Sequence, residues 1–349
     1  MRLPTTCIGA YPKPDYVPTP DWFRVREEGE GNAVRAYQKY LANLPDDIEE
    51  IQDRATREGV AKQVELDIDI PTDGEIRREN YIYYQCRNFE GIDFDNLTSV
   101  RLRNGAWESA VPTIRGPIVG AAPKMVRDYQ VAQDRLDRPV KISLPGPLTI
   151  TGSMVDVYYG DEAKLGRDLA KALNQELLAL AEAGCTWCQI DEPIFARNPD
   201  KALAFGFENL ERCFEGLPDT VSRVVHICCG YPNYLDQIDY EKADLHAYFE
   251  IAEALEASSV DAVSLEDAHR HNDETLLDFF RETTLIWGAI KIASSKVETV
   301  DEIQLRLRQI LRRVDAERLI VGPDCGLGFL TTELVESKLA NMSQAAHSM

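Results

Sequence analysis

Eight short runs of β-branched and aliphatic residues recur along the chain, at 5–10, 66–71, 140–144, 186–190, 223–227, 260–265, 285–290 and 319–321. Apolar residues at helical spacing predict helices near 33–65, 121–136, 161–183, 245–257, 273–281 and 300–315. Buried strands alternating with helices call for a parallel sheet covered by helices, and eight is the strand number of a closed (β/α)8 TIM barrel. An open doubly wound sheet would need a Gly-rich turn after an early strand, and the sequence has none there. The stretch 88–117 breaks the rhythm. Its two extended arms around Asn104-Gly105 predict a β-hairpin inserted between the second and third strands. The 349 residues are within reach of one barrel, so the expectation is a single domain over 1–349.

In such barrels the chemistry collects at the C-terminal ends of the strands. The unusual polar residues of this chain stand there: Glu75, Asp191, Glu192, His226, Cys228, Glu266 and Cys325. In the run Val224-Val225-His226-Ile227-Cys228-Cys229-Gly230, period-two alternation puts His226 and Cys228 on one face and Cys229 on the other. With Glu266 after the sixth strand and Cys325 after the eighth, a closed barrel brings together one nitrogen, one oxygen and two sulfur donors. That set suits Zn²⁺. Plainer readings exist for each residue. His226 and Cys228 can be packed core, Glu266 a carboxylate at a helix N-terminus, and Cys325 a small buried residue beside a glycine turn. Cys185 and Cys188 have Cys-x-x-Cys spacing but run from a helix end into a strand, which predicts core packing.

Composition narrows the partners. The net charge of −21 argues against nucleic acid and anionic membrane surfaces. No run approaches the roughly 18–20 apolar residues of a membrane span, and the N-terminus lacks the apolar core of a signal peptide, so the chain is expected to be cytoplasmic.

Several segments resemble the catalytic barrel of the cobalamin-independent methionine synthase family, from the start of the chain to about residue 335. They are Thr5-Thr6-Cys7-Ile8-Gly9-Ala10-Tyr11-Pro12, Asp73-Gly74-Glu75, Gly146-Pro147-Leu148-Thr149-Ile150, Gln189-Ile190-Asp191-Glu192-Pro193 and Gly322-Pro323-Asp324-Cys325-Gly326-Leu327. The resemblance implies zinc held by His226, Cys228, Glu266 and Cys325. It also implies an amino-acid thiol whose amino group meets Glu75 and Asp191, and whose carboxylate meets the backbone of Ile8, Gly9 and Ala10. The implied reaction is methyl transfer to homocysteine from methyl-folate or a methyl-corrinoid protein. Alternatives are alkyl transfer to another thiol such as coenzyme M, or a barrel without zinc that decarboxylates or only binds a thiol. The single barrel resembles the short family members, and a homo-oligomer is compatible with the sequence. Lys291 and Ala293 stand where the family's seventh-strand motif has an acidic residue and then a His acting as proton donor. His269 and His271 are then either substitute donors or solvated loop residues.

Overall fold

The computed structural model describes residues 1–23, 32–102 and 107–349. Its strands are β1 (Phe89–Leu102), β2 (Trp107–Gly120), β3 (Lys141–Pro145), β4 (Val155–Asp156), β5 (Trp187–Asp191), β6 (Ser222–Ile227), β7 (Ala262–Leu265), β8 (Thr284–Ile290) and β9 (Leu319–Pro323). Six of them form a parallel sheet in the order β3-β5-β6-β7-β8-β9. The order follows the sequence, so each helical crossover joins neighbouring strands. The expected first two strands are reduced to isolated parallel bridges, Thr5 to Val321, Thr6 to Ile70 and Thr72 to Lys141. They nevertheless close the ring: Thr6 N–H donates to Val321 (2.9 Å), Ile70 N–H to Thr5 (3.0 Å) and Lys141 N–H to Pro71 (2.8 Å). Pro4 and Pro71 lack the N–H a longer ladder needs, and Asp67 turns the chain at φ 60° just before the second segment. The result is an α/β fold with a parallel, TIM-barrel-like sheet.

Each barrel strand packs two ways. Inward, Ile8, Ile70, Val224, Ala262, Ile286 and Ile320 form an apolar plug. Outward, residues such as Ile142, Leu144, Ile190, Val225 and Val263 meet the helices. The helix Glu162–Glu182 buries Leu165, Leu169, Leu173, Leu177 and Leu180, one stripe at 3–4 residue spacing, against that layer. The segment expected as a helix over 273–281 is a 3₁₀ turn, Glu274–Phe279. A helix without a counterpart in the sequence-based expectation, Thr332–His347, is capped by Thr331 and buries Val335, Leu339 and Met342. No helix among the described residues is long and apolar enough to cross a membrane.

β1 and β2 pair antiparallel up to Leu102 opposite Trp107, and β4 adds to β2 in parallel. Asn104-Gly105 lies outside the described residues. Gly91, at φ +88°, sits where a Cβ would meet the Pro117 carbonyl oxygen at 2.4 Å, beside a register shift in the ladder.

At the mouth, the Gly146-Pro147 turn and the Asp191-Glu192-Pro193 segment are one unit. Fully buried Glu192 accepts from the N–H groups of Leu148 and Thr149 (both 2.9 Å) and from Thr149 Oγ1 (2.7 Å). This satisfies the free amides of the short helix Pro147–Thr151. Only glycine fits at 146, because a Cβ there would lie 2.2 Å from Glu192. Glu192→Ala strands those buried amides, so it is expected to lower unfolding free energy by roughly 2–4 kcal/mol, read from chemical denaturation with the slope unchanged.

Candidate active site

β6 delivers His226 at its end and Cys228 just beyond, side by side as period two requires, while Cys229 is buried on the opposite face. The ligand atoms of His226, Cys228 and Cys325 lie within 4.8 Å of one another, a set able to hold a metal ion. His226 Nδ1 meets Ser264 Oγ of β7 at 2.9 Å, and Nε2 faces Cys325 Sγ at 3.3 Å. With Ser264 accepting from Nδ1, Nε2 keeps its lone pair toward the two sulfurs. Burial pulls the His226 pKa down to about 3. The imidazole is therefore neutral near pH 7, the form in which it ligates a metal.

Glu266 stands beside this set but outside its 4.8 Å group. One oxygen accepts from Cys229 N–H and the other from Lys242 Nζ, both at 2.8 Å.

Cys325 owes its position to its neighbour. Asp324, fully buried, accepts from the N–H groups of Asp267 (2.8 Å), Ala268 (2.9 Å) and His269 (2.7 Å) and from His269 Nδ1 (2.6 Å). These bonds lash the loop after β9 to the loop after β7.

Across the mouth, Glu75 is held in a left-handed backbone conformation, φ 55°, by a turn in which Asp73 accepts its N–H. Its carboxyl receives Ser143 Oγ at 3.1 Å and has Arg78 at 3.7 Å. Gly9 leaves the room for it, since a Cβ there would meet Glu75 Oε1 at 2.5 Å. Asp191 receives Gln189 Nε2 at 2.7 Å, and the same amide donates to the Ile8 carbonyl at 3.0 Å. Burial, and then the charge of Glu75, push the Asp191 pKa up to about 8, and burial raises that of Glu75. Two buried carboxyls, the charge of one disfavouring that of the other, suit a cation between them.

One cavity of about 850 Å³ joins both halves: Ile8, Gly9, Ala10, Glu75, Asp191, His226, Cys228 and Cys325 all line it. Its outer part is walled by Trp22, Phe23, Tyr81, Tyr231 and Phe329. Tyr231 stacks on Phe329 with centroids 5.0 Å apart and donates to the Gly326 carbonyl. Tyr158, Tyr159 and Tyr234 are not in the lining, and Tyr159 bonds Asp168 instead. Lys291, Ala293, His269 and His271 do not line the cavity either. His269 is not a solvated loop residue, because Asp324 holds it. The backbone N–H of Lys291 donates to Glu298, whose other oxygen pairs with Lys338 at 2.7 Å. Cys185 and Cys188 are buried free thiols with sulfurs 3.9 Å apart. Ser264 and Asp324 were not singled out from the sequence. Ser264 was within reach of it, two residues before Glu266 and so on the same strand face.

A parallel barrel whose strand ends gather an imidazole, two thiols and two buried carboxyls belongs to the class of barrel enzymes equipped for a soft sulfur ligand beside a cationic group. The chain belongs to the cobalamin-independent methionine synthase family: residues 3–348 match the model described as "Cobalamin-independent synthase, Catalytic domain". The methionine synthase of Thermococcus kodakarensis is 28% identical over 346 residues, covering 97% of this chain and 91% of that protein. That of Sulfolobus acidocaldarius is 28% identical over 344 residues, covering 97% and 90%. The B12-independent methionine synthase of Shewanella sp. W3-18-1, solved in complex with selenomethionine, superposes with a TM-score of 0.85 at 29% identity, covering 100% of this chain and 97% of that one. A Listeria monocytogenes structure at 19% identity and TM-score 0.71 shares the fold. The known activity of the family is zinc-dependent methyl transfer to homocysteine.

Gly288 of β8 packs against Asp324, where an added Cβ would meet Oδ1 at 2.1 Å and Cα at 3.0 Å. Gly288→Ala is therefore expected to push Asp324 off its amide donors. Thermal unfolding should show a loss of about 2–3 kcal/mol, and a chelator competition should show metal affinity down by roughly 10–100-fold.

Proposed function

We propose that this chain is a zinc-dependent methyltransferase that moves a methyl group onto the sulfur of homocysteine to give methionine. The observation that carries the reading is the convergence of His226, Cys228 and Cys325 within 4.8 Å, in the same cavity as Glu75 and Asp191. Nitrogen and two sulfurs are the donor chemistry zinc prefers, and we take Glu266, beside them, as the fourth ligand. Bound there, zinc supplies a Lewis acid that keeps the substrate sulfur a thiolate near neutral pH.

The protein's own groups do the rest. His226 is held neutral and oriented by Ser264. The carboxylate of Glu266, shared with Lys242 and Cys229 N–H, would be the most weakly held of the four ligands. Glu75 and Asp191 hold the substrate's ammonium, and the backbone of Ile8, Gly9 and Ala10 receives its carboxylate. This fixes the sulfur toward the aromatic-walled outer cavity, where the donor's methyl carbon is attacked and its leaving group departs with the bonding pair.

Methyl-folate and a methyl-corrinoid protein are the donors to weigh. Charged groups in the lining include Glu75, Asp191, Glu241 and Asp244 against Arg197 and Lys242, an acidic excess that disfavours a long polyanionic folate tail. We read residues 1–349, hairpin included, as one working unit in the cytoplasm, where its eight free cysteines stay reduced.

Purified protein is expected to carry about one zinc per chain. His226→Ala and Cys325→Ser should each lose the metal and lower methyl transfer by about a hundredfold or more. Elemental analysis alongside a screen of methyl-folate and methylcobalamin with homocysteine checks this. Full turnover by metal-free protein would overturn the reading.

A further inference from the structure

The aromatic side chains that wall the cavity form one continuous layer. Between ring centroids, Trp22 is 4.2 Å from Phe23, 5.7 Å from Tyr231 and 6.4 Å from Tyr81, and Phe329 is 5.0 Å from Tyr231 and 5.2 Å from Phe23. All of these rings line the same cavity as His226, Cys228 and Cys325. The layer is fixed by its backbone. Trp22 N–H donates to the Glu79 carbonyl (2.9 Å), Phe23 N–H donates to Asp21 (3.0 Å), and Phe23 lies over Gly328, where a Cβ would meet the ring at 2.2 Å. Tyr231 ties the layer to the donor set, because its hydroxyl donates to the carbonyl of Gly326, the residue after Cys325.

The face of an aromatic ring is electron-rich and attracts a cation, most strongly where water is excluded. No lysine or arginine among the described residues stands over any of these rings. The charged groups in the lining have the same preference as the rings. Glu241 and Asp244 join Glu75 and Asp191 there, and of the two lining cations Lys242 is bound to Glu266 at 2.8 Å, which leaves Arg197. The cavity thus favours a cation and repels an anion.

We propose that the aromatic layer receives the methyl donor as a methyl-onium cation, a sulfonium or quaternary ammonium compound. This rests on the methyl-transfer reading given under Proposed function and names a donor class beyond the two weighed there. The substrate thiolate attacks a methyl carbon of the cation. The new S–C bond forms as the bond from that carbon to the onium atom breaks, and its electron pair stays on the onium sulfur or nitrogen, which leaves neutral. No proton moves, which suits a wall whose Tyr231 hydroxyl is already given to Gly326. The two reacting charges cancel, so a wall that excludes water removes solvation that both would otherwise have to shed.

Calorimetric titration of zinc-loaded protein with choline and with its uncharged isostere 3,3-dimethyl-1-butanol reads the charge preference without turnover. Choline is expected to bind roughly tenfold more tightly or better. Trp22→Leu should weaken choline by about tenfold and change the isostere by less than about threefold; Tyr81→Leu serves the same purpose if the Trp22 variant does not fold. Equal binding of the two probes, or equal loss of both in the variants, overturns the cation site. A second arm supplies homocysteine with trimethylsulfonium, glycine betaine, methyl-folate or methylcobalamin and measures methionine. Methionine from an onium is the expected result, and the relative rates of the two tell a sulfonium donor from a quaternary ammonium one. Methionine from methyl-folate or methylcobalamin but from neither onium removes this inference and leaves the methyl-transfer reading standing. Methionine from none of the four removes both.

Discussion

The site depends on one buried carboxylate. Asp324 has no access to solvent, and hydrogen bonds from three successive amides and from His269 hold its pKa below the ordinary carboxylate range despite burial. Those bonds join two loops that follow different strands, and so bring Cys325 to His226, 99 residues away in sequence. The brace extends outward. Asp267, whose N–H Asp324 receives, takes two hydrogen bonds from Arg306 of the helix Val300–Ile310, at 2.7 and 2.9 Å, and one from Asn272 N–H at 2.8 Å. A donor set assembled this way is rigid before any ligand arrives, which is what ordered chemistry on a soft sulfur needs.

The two halves of the mouth are built on opposite electrostatic terms. On one side burial keeps His226 neutral, and the neighbouring Cys228 together with burial pushes the Cys325 thiol up, a set whose natural partner is a cationic metal. On the other, burial raises Glu75 and Asp191, so their charge is favoured only when a cation joins them. In the proposed function an amino-acid thiol offers a sulfur to the first half and an ammonium to the second. The cavity that spans both halves would then leave its aromatic outer part for the methyl donor.

Much of this was legible in the sequence, and the misses have physical causes. The β6 run places His226 and Cys228 on one face through strand period alone, and the strand-end positions of Glu75, Asp191 and Cys325 follow from the barrel count. The first two strands were overdrawn, because Pro4 and Pro71 cut their ladders to single bridges. The helix Thr332–His347 carries Val335, Leu339 and Met342 at helical spacing and was there to be read. Trp22, Phe23 and Phe329 could not be placed, since loops carry no periodicity to aim a side chain. The burial of Lys141 was equally hidden: a lysine opening a strand reads as solvated until the closed ring shows it fully buried.

The most direct measurement is X-ray absorption at the zinc edge, on the protein alone and after homocysteine is added. Two sulfur ligands with nitrogen and oxygen are expected in the free enzyme, and a third sulfur once the thiol binds. A metal site whose sulfur count does not rise with homocysteine would contradict it.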